Sequence, residues 1–288
     1  MYASLALLAL ASLAAAAPKP KLQYNLYNNG SRGSVNGQAD DFSATYHTSA
    51  FMSRQGCSST AKITYCYAAE LSGNPKKMLE TKDYKPYING GVGTHQRAYL
   101  LSQPYPTKKT GSGVITHKLR FHISSTYTKV PVGLANAVTF TGLRNFNPKV
   151  GIKALDIRAR TFTGEETSGT FLYVAAVNQD KTEAFPTSFS LKDAIGKTIE
   201  VTYKLGLNGA TVDSQKIFVA TVTAKFVDTG KQLFNVGVTK TLYPKGVIDA
   251  TAHRLVFGGS RQVSSSMQDL KVWFGDYSVS PLPPKIVD

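Results

Sequence analysis

The chain has 288 residues, with 33 lysines and arginines against 18 aspartates and glutamates, a formal charge of +15. The cations come singly or in pairs, such as Lys76-Lys77 and Lys108-Lys109. That excludes the long basic run of a disordered nucleic-acid arm, and it ranks acidic glycan above nucleic acid or anionic membrane as the partner of such a surplus. Valine, threonine, tyrosine and phenylalanine are abundant while methionine and glutamate are scarce, which favours strands over helices.

Met1 to Ala17 (MYASLALLALASLAAAA) is an uncharged apolar run that closes in small residues before Pro18. It has the form of a secretory signal peptide, although its start lacks the usual Lys or Arg. It is too short to span a bilayer, which takes about 20 apolar residues. No second run of that kind follows, so the expectation is an exported, extracellular protein with no membrane span. Residues 18–42 are polar and rich in Asn and Gly, and read as an irregular arm. Asn29-Gly30-Ser31 within it is a glycosylation acceptor.

The remainder to residue 280 reads as one β-sandwich domain, a length such folds reach as a single unit. Cys57 and Cys66 are the two cysteines. In an exported chain they are expected to pair and clamp a local hairpin. With no histidine close in sequence they do not match zinc spacing, and neither metal nor other cofactor is expected. Strands are predicted over Ala61–Leu71, His95–Leu101, Gly113–Ser124, Asn136–Thr141, Ile152–Phe162, Thr170–Asn178, Thr198–Leu205, Ile217–Val227, His253–Phe257 and Asp269–Val279. Turn clusters such as Asn89-Gly90-Gly91, Asn147-Pro148 and Asp228-Thr229-Gly230 separate them. One helical turn is predicted after Ser190, capped by that serine and stopped by Gly196. Residues 281–288 contain three prolines and read as an extended tail.

Alternation sends every second side chain of a strand to the same face. His95, Arg97 and Tyr99 therefore share a face, as do Lys118, Arg120 and His122, and again Asp156, Arg158 and Arg160. On a concave sheet these would line a cationic groove; on a convex one they are a solvated surface. His117 falls opposite His122 and is expected to pack inside. Trp273 reads either as a sugar-stacking platform or as a core or edge aromatic. Glu200 shares a face with Lys204 and reads as solvated, and Asp156 as a surface ion pair.

Hydrolytic chemistry finds little support. Glycoside hydrolysis needs two carboxylates about 5–10 Å apart, and the pattern ExDxxE is absent. Glu165 and Glu166 are adjacent in a Thr/Gly/Ser-rich turn. No GxSxG, P-loop or HExxH pattern occurs.

GKTIEVTYKLG (Gly196–Gly206), FVATVTAKFVDTGKQLF (Phe218–Phe234), HRLVFGGSRQ (His253–Gln262) and MQDLKVWFGDYSV (Met267–Val279) follow one another in the order of the back half of a concanavalin A-like jelly roll. The chain resembles that superfamily of lectins, glucanases and polysaccharide lyases over roughly its last 120 residues. The resemblance implies an all-β sandwich of two curved antiparallel sheets with a glycan-binding groove. It also implies a set of roles for lyase-type β-elimination. Arg97 would neutralise the uronate carboxylate and stabilise the developing enolate. His95 or His122 would remove the α-proton, and Tyr99 would protonate the leaving oxygen. Lys118, Arg120, Arg158, Arg160 and Trp273 would bind the chain of sugars. FLYVAAVNQ (Phe171–Gln179) echoes the lyase pattern YFKAGxYNQ, with Tyr173 and Val177 where that pattern has Lys and its second Tyr. The alternative is a non-catalytic, lectin-like or effector-type secreted interaction protein.

Overall fold

The computed structural model describes residues 43–47, 50–54, 57–64, 66–71, 73, 95–101, 105–106, 114–132, 137–145, 152–164, 168–178, 182–212, 215–244, 252–262 and 268–280. The signal-peptide, arm, glycosylation and tail expectations (1–17, 18–42 with Asn29, and 281–288) lie outside these residues, as does the Glu165-Glu166 turn.

The described strands form two antiparallel sheets. The eight-stranded sheet contains β1 (Ser43–His47), β4 (His95–Leu101), β5 (Tyr105–Pro106), β7 (Val138–Asn145), β8 (Ile152–Thr163), β9 (Ser168–Asn178), β10 (Thr182–Ser190) and β14 (Ala252–Gln262). Its path runs β1-β4-β14-β7-β8-β9-β10, with β5 pairing β14. The seven-stranded sheet contains β2 (Ala50–Arg54), β3 (Tyr67–Leu71), β6 (Val114–Ile123), β11 (Thr198–Val212), β12 (Gln215–Phe226), β13 (Gln232–Pro244) and β15 (Leu270–Ser280), in the order β13-β12-β11-β6-β15-β3-β2. This is a β sandwich of jelly-roll type, as the strand pattern predicts.

Alternating apolar residues from both sheets meet between them. Leu119 and Phe121 of β6, Val201 and Tyr203 of β11 and Phe274 of β15 meet Phe140 of β7, Ile157 of β8, Val174 of β9 and Phe257 of β14 in one buried cluster. Phe121 stacks on Phe140 across the sandwich at 5.7 Å between ring centroids. The two inner faces thus interdigitate, the usual way paired sheets hide their apolar sides from water.

The core also holds a polar thread. His117 (β6) and His253 (β14) are both buried, with their Nε2 atoms 2.9 Å apart. His117 Nδ1 lies 2.9 Å from the Tyr277 hydroxyl. One neutral chain satisfies both bonds: Tyr277 O–H donates to His117 Nδ1, and His117 Nε2–H donates to His253 Nε2. Burial holds both imidazoles below their ordinary range, His253 down to about 3.

Short features refine the picture. The helical turn is α1 (Leu191–Ala194), with Leu191 and Ala194 buried. Gly196 ends it at φ +69°, a left-handed conformation that glycine adopts without cost. The expected side-chain cap is not made: Ser190 is the last residue of β10 and its hydroxyl bonds no helical N–H. Cys57 and Cys66 are bonded and close the connection between β2 and β3, which pair as a hairpin from Ala50↔Leu71 to Arg54↔Tyr67. The Cys57→Ser/Cys66→Ser double variant is expected to lose about 2–3 kcal/mol, because an open loop of this size regains chain entropy when unfolded. Urea unfolding of both proteins under oxidising conditions measures it.

Candidate functional site

The predicted basic faces end up on opposite outer surfaces. Strand β6 joins the seven-stranded sheet, while β4 and β8 join the eight-stranded one. A groove shared by all three sets is therefore excluded: the bulk of the core stands between Lys118, Arg120 and His122 on one side and Arg158 and Arg160 on the other. Alternation in each strand was read correctly. Which sheet each strand joins is a matter of long-range pairing.

On the seven-stranded side, Glu200 is a hub rather than a solvated acid. Its side chain is only 8% exposed. Arg120 donates Nε–H and Nη2–H to Glu200 Oε2, both at 3.2 Å. Lys118 Nζ and Lys225 Nζ stand 3.5 and 3.4 Å from Oε1. Burial pushes the Glu200 carboxyl up, yet the joint pull of Lys118, Arg120 and Lys225 prevails and holds it below the ordinary carboxylate range. Arg120 also reaches Asp276 Oδ2 at 3.1 Å and the Lys62 carbonyl at 3.4 Å. Asp276 sits at φ 50° inside an irregularity of β15 and accepts the Thr64 N–H at 3.0 Å.

These bonds seat the disulfide-closed loop on the sheet. His122 lies beneath that loop, 1% exposed, with Nδ1 3.1 Å from Thr198 Oγ1 and Nε2 3.3 Å from Thr60 Oγ1. Both ring nitrogens are engaged, and burial lowers its affinity for a proton. The role of base beside Arg97 is therefore ruled out for His122, since the two belong to different sheets. Trp273 is half-buried on the same side, edge-on to His122 at 5.7 Å and beneath Lys271 Nζ at 5.3 Å. As sugar-binding residues of the Arg97 groove, Lys118, Arg120 and Trp273 are corrected for the same reason.

The eight-stranded side carries the remaining candidates. His95, Arg97 and Tyr99 have their backbone in β4, whose Ala98 and Leu100 are buried in the core. Their side chains lie outside the described residues. The pairing register nevertheless defines one row across the sheet: Arg97↔Ser260 (β14), Ser260↔Thr139 (β7), Thr139↔Arg158 (β8) and Arg158↔Tyr173 (β9). Adjacent strands stand about 4.8 Å apart, so the row is a ladder of evenly spaced positions.

Strand β8 has Leu155, Ile157 and Ala159 inward, which leaves Asp156, Arg158 and Arg160 on the outer face. Asp156 is fully buried there, not a surface pair as expected. Arg158 donates Nε–H and Nη2–H to Asp156 Oδ2 at 3.0 and 2.7 Å. The floor around this carboxylate is built of small residues. Gly142 and Ala175 are its cross-strand partners, and a β-carbon on Gly142 would collide with Asp156 Oδ1. Arg160 lies over the Phe162 ring at 3.8 Å and over the Tyr173 ring at 5.3 Å. Burial raises the Tyr173 phenol above its ordinary range, against a weaker pull from Arg158 and Arg160. At neutral pH it keeps its proton, and its side chain is fully buried beside Arg160. Among the described residues no cluster of three or more His, Cys, Asp or Glu side chains is placed to hold a metal ion.

No family model matches this chain. No curated protein matches it. Solved structures do. An alginate lyase from Klebsiella pneumoniae superposes with TM-score 0.45 at 12% identity, covering 82% of this chain and 85% of that one. The likeness is one of fold. An alginate lyase from Pseudomonas aeruginosa gives TM-score 0.44 at 9% identity, over 80% of this chain and 85% of that one. An alginate lyase of polysaccharide lyase family 7 gives 0.41 at 12% identity, over 89% and 92%.

Asp156 and Glu200 are the two acids whose burial the strand pattern does not reveal. Both sit on polar faces, and alternation gives the side of a strand but not its depth.

Proposed function

We propose that this is a secreted protein that binds an acidic polysaccharide along the outer face of the eight-stranded sheet. The observation that carries the reading is the β8–β9 surface. There Arg158 and Arg160 stand two residues apart, Arg160 lies against the aromatic rings of Phe162 and Tyr173, and Gly142 and Ala175 line the floor between strands. Guanidinium groups recognise carboxylates, and the aromatic rings here hold the Arg160 guanidinium in place. The formal +15 of the chain adds long-range attraction for a polyanion.

A β-elimination is the second reading. It is favoured by the register that brings Arg97 and Tyr99 of β4 onto the same sheet as Arg158 and Tyr173. Such a reaction takes the α-proton of a uronate to a base and returns a proton to the leaving oxygen, giving an unsaturated sugar.

One experiment addresses both. The protein is passed over immobilised polymannuronate, polyguluronate and polygalacturonate, with a neutral glucan as control, and the eluate is followed for ultraviolet absorbance. Retention on at least one polyuronide that weakens with salt is expected. Equal passage through all four columns refutes the binding reading. A rise in absorbance from soluble polyuronide, lost in Tyr99→Phe, assigns lyase activity; none leaves a binding protein.

A further inference from the structure

We infer that Arg160, and not Arg158, takes the carboxylate of the bound uronate, and that Asp156 enforces this division. The inference rests on the polyuronide reading above and names the anchoring group within it.

The two arginines look equivalent in sequence and differ in surroundings. Arg158 spends Nε–H and Nη2–H on Asp156 Oδ2. Asp156 is fully buried, so its carboxylate holds the Arg158 guanidinium in place and offsets its charge. A second carboxylate brought to Arg158 would meet the negative charge already there. Gly142 is part of the device, because any larger residue at that place would displace the Asp156 carboxylate.

Arg160 has neither a carboxylate partner nor a hydrogen bond among the described residues, and its Nε is buried without one. Phe162 and Tyr173 hold its guanidinium from the side of the ring faces. Stacking fixes the plane and satisfies no N–H, which leaves the hydrogen-bonding edge for a planar anion. A unit positive charge held in place and unmatched is the feature that selects a monovalent carboxylate. The neighbouring ion pair positions Tyr173, which stands directly across from Arg158 in the register.

The test is affinity for polymannuronate, polyguluronate and polygalacturonate, measured by calorimetry at two salt concentrations. Arg160→Gln is expected to weaken binding about tenfold or more and to flatten its salt dependence. Arg158→Gln also weakens binding, because it takes a cation from beside the buried Asp156 carboxylate and leaves more negative charge next to the incoming anion. The double variant Asp156→Asn/Arg158→Gln removes both opposite charges together and is expected to return to within about threefold of the parent, since the two residues act as a coupled unit. Parent-like binding by Arg160→Gln overturns the inference, as does a double variant no better than Arg158→Gln. Failure of the unaltered protein on all three polymers sinks the polyuronide reading instead. Phenylglyoxal labelling of the unaltered protein guards against misfolded variants. Arg160 is expected to react ahead of Arg158, and the reverse order overturns the assignment.

Discussion

Between pH 6.5 and pH 4.5 the protein is expected to lose stability through two residues, His117 and His253, with about 2 kcal/mol of the loss coming from His253 alone. Both imidazoles are buried between the sheets and held below the ordinary histidine range, His253 at about 3. The unfolded chain takes up a proton on each near pH 6.5, and the folded chain does not. Stability is therefore unaffected above that pH and falls as the medium is acidified, toward the depressed folded-state values. Each histidine contributes a limiting slope of about 1.4 kcal/mol per pH unit. For a chain of this size each kcal/mol lost lowers the melting temperature by about 2 °C, so His253 alone should lower it by roughly 3–4 °C over the interval, and His117 lowers it further. Glu200 adds to the loss only at lower pH, because its carboxyl is held below the ordinary range and its contribution disappears as pH falls through that lowered value. The check is calorimetric melting from pH 7.5 to 4.5, for the parent and for His117→Gln/His253→Gln. The double variant should start less stable and give a markedly flatter profile. Parallel profiles would refute the assignment to these imidazoles.

Glu200→Ala is expected to cost about 3 kcal/mol and to loosen a loop that is remote in sequence. The carboxylate holds Arg120, Lys118 and Lys225 together, and its removal leaves three cations facing one another without a centre. The magnitude sits at the low end for a broken buried pair because Lys118 and Lys225 are 47% and 54% exposed and keep much of their hydration. Arg120 also holds the Lys62 carbonyl and Asp276, so its displacement unseats the disulfide-closed loop. Two measurements follow. The urea midpoint should fall, less so at high salt, where the freed repulsion is screened. Limited proteolysis should open new cleavage between residues 58 and 64. A midpoint within 0.5 kcal/mol of the parent, by the usual tolerance for neutral surface changes, would remove Glu200 from its central place.

Much of this architecture was legible in the sequence because strands write a period of two into their residues. Predicted strands from His95–Leu101 to Asp269–Val279 find β4, β6, β7, β8, β9, β11, β12, β14 and β15, although β11 and β14 run seven and five residues beyond their predicted ends. The omissions have physical causes. β10 carries Pro186, which argues against a strand; it is tolerated because β10 is the edge of its sheet, where a missing N–H breaks no ladder. β13 follows the Asp228-Thr229-Gly230 turn, but Asn235, Gly237 and Lys240 dilute the alternation. β1 and β2 are five residues each, too short for a period to declare itself.

The site was less legible. Lys118-Arg120-His122 and Asp156-Arg158-Arg160 carry the same local signature, and only partner choice separates them. β6 pairs with β11 and β15, whereas β8 pairs with β7 and β9. Likewise nothing local joins His117 to His253, 136 residues away, although each was placed on a strand.

The order of strands in space has a consequence for synthesis. β14 lies between β4 and β7, and β15 between β6 and β3, so the two latest of the described strands to be synthesised fill the middle of both sheets. Until they emerge, the β1–β4 pair is severed from β7–β10, and the β2–β3 hairpin from β6 and β11–β13. Each fragment then bares two raw edges and half a core. The nascent polypeptide therefore cannot fold vectorially from its beginning. It has to be kept apart from its neighbours until β14 and β15 are made, and then close in one late, slow step dominated by distant pairings.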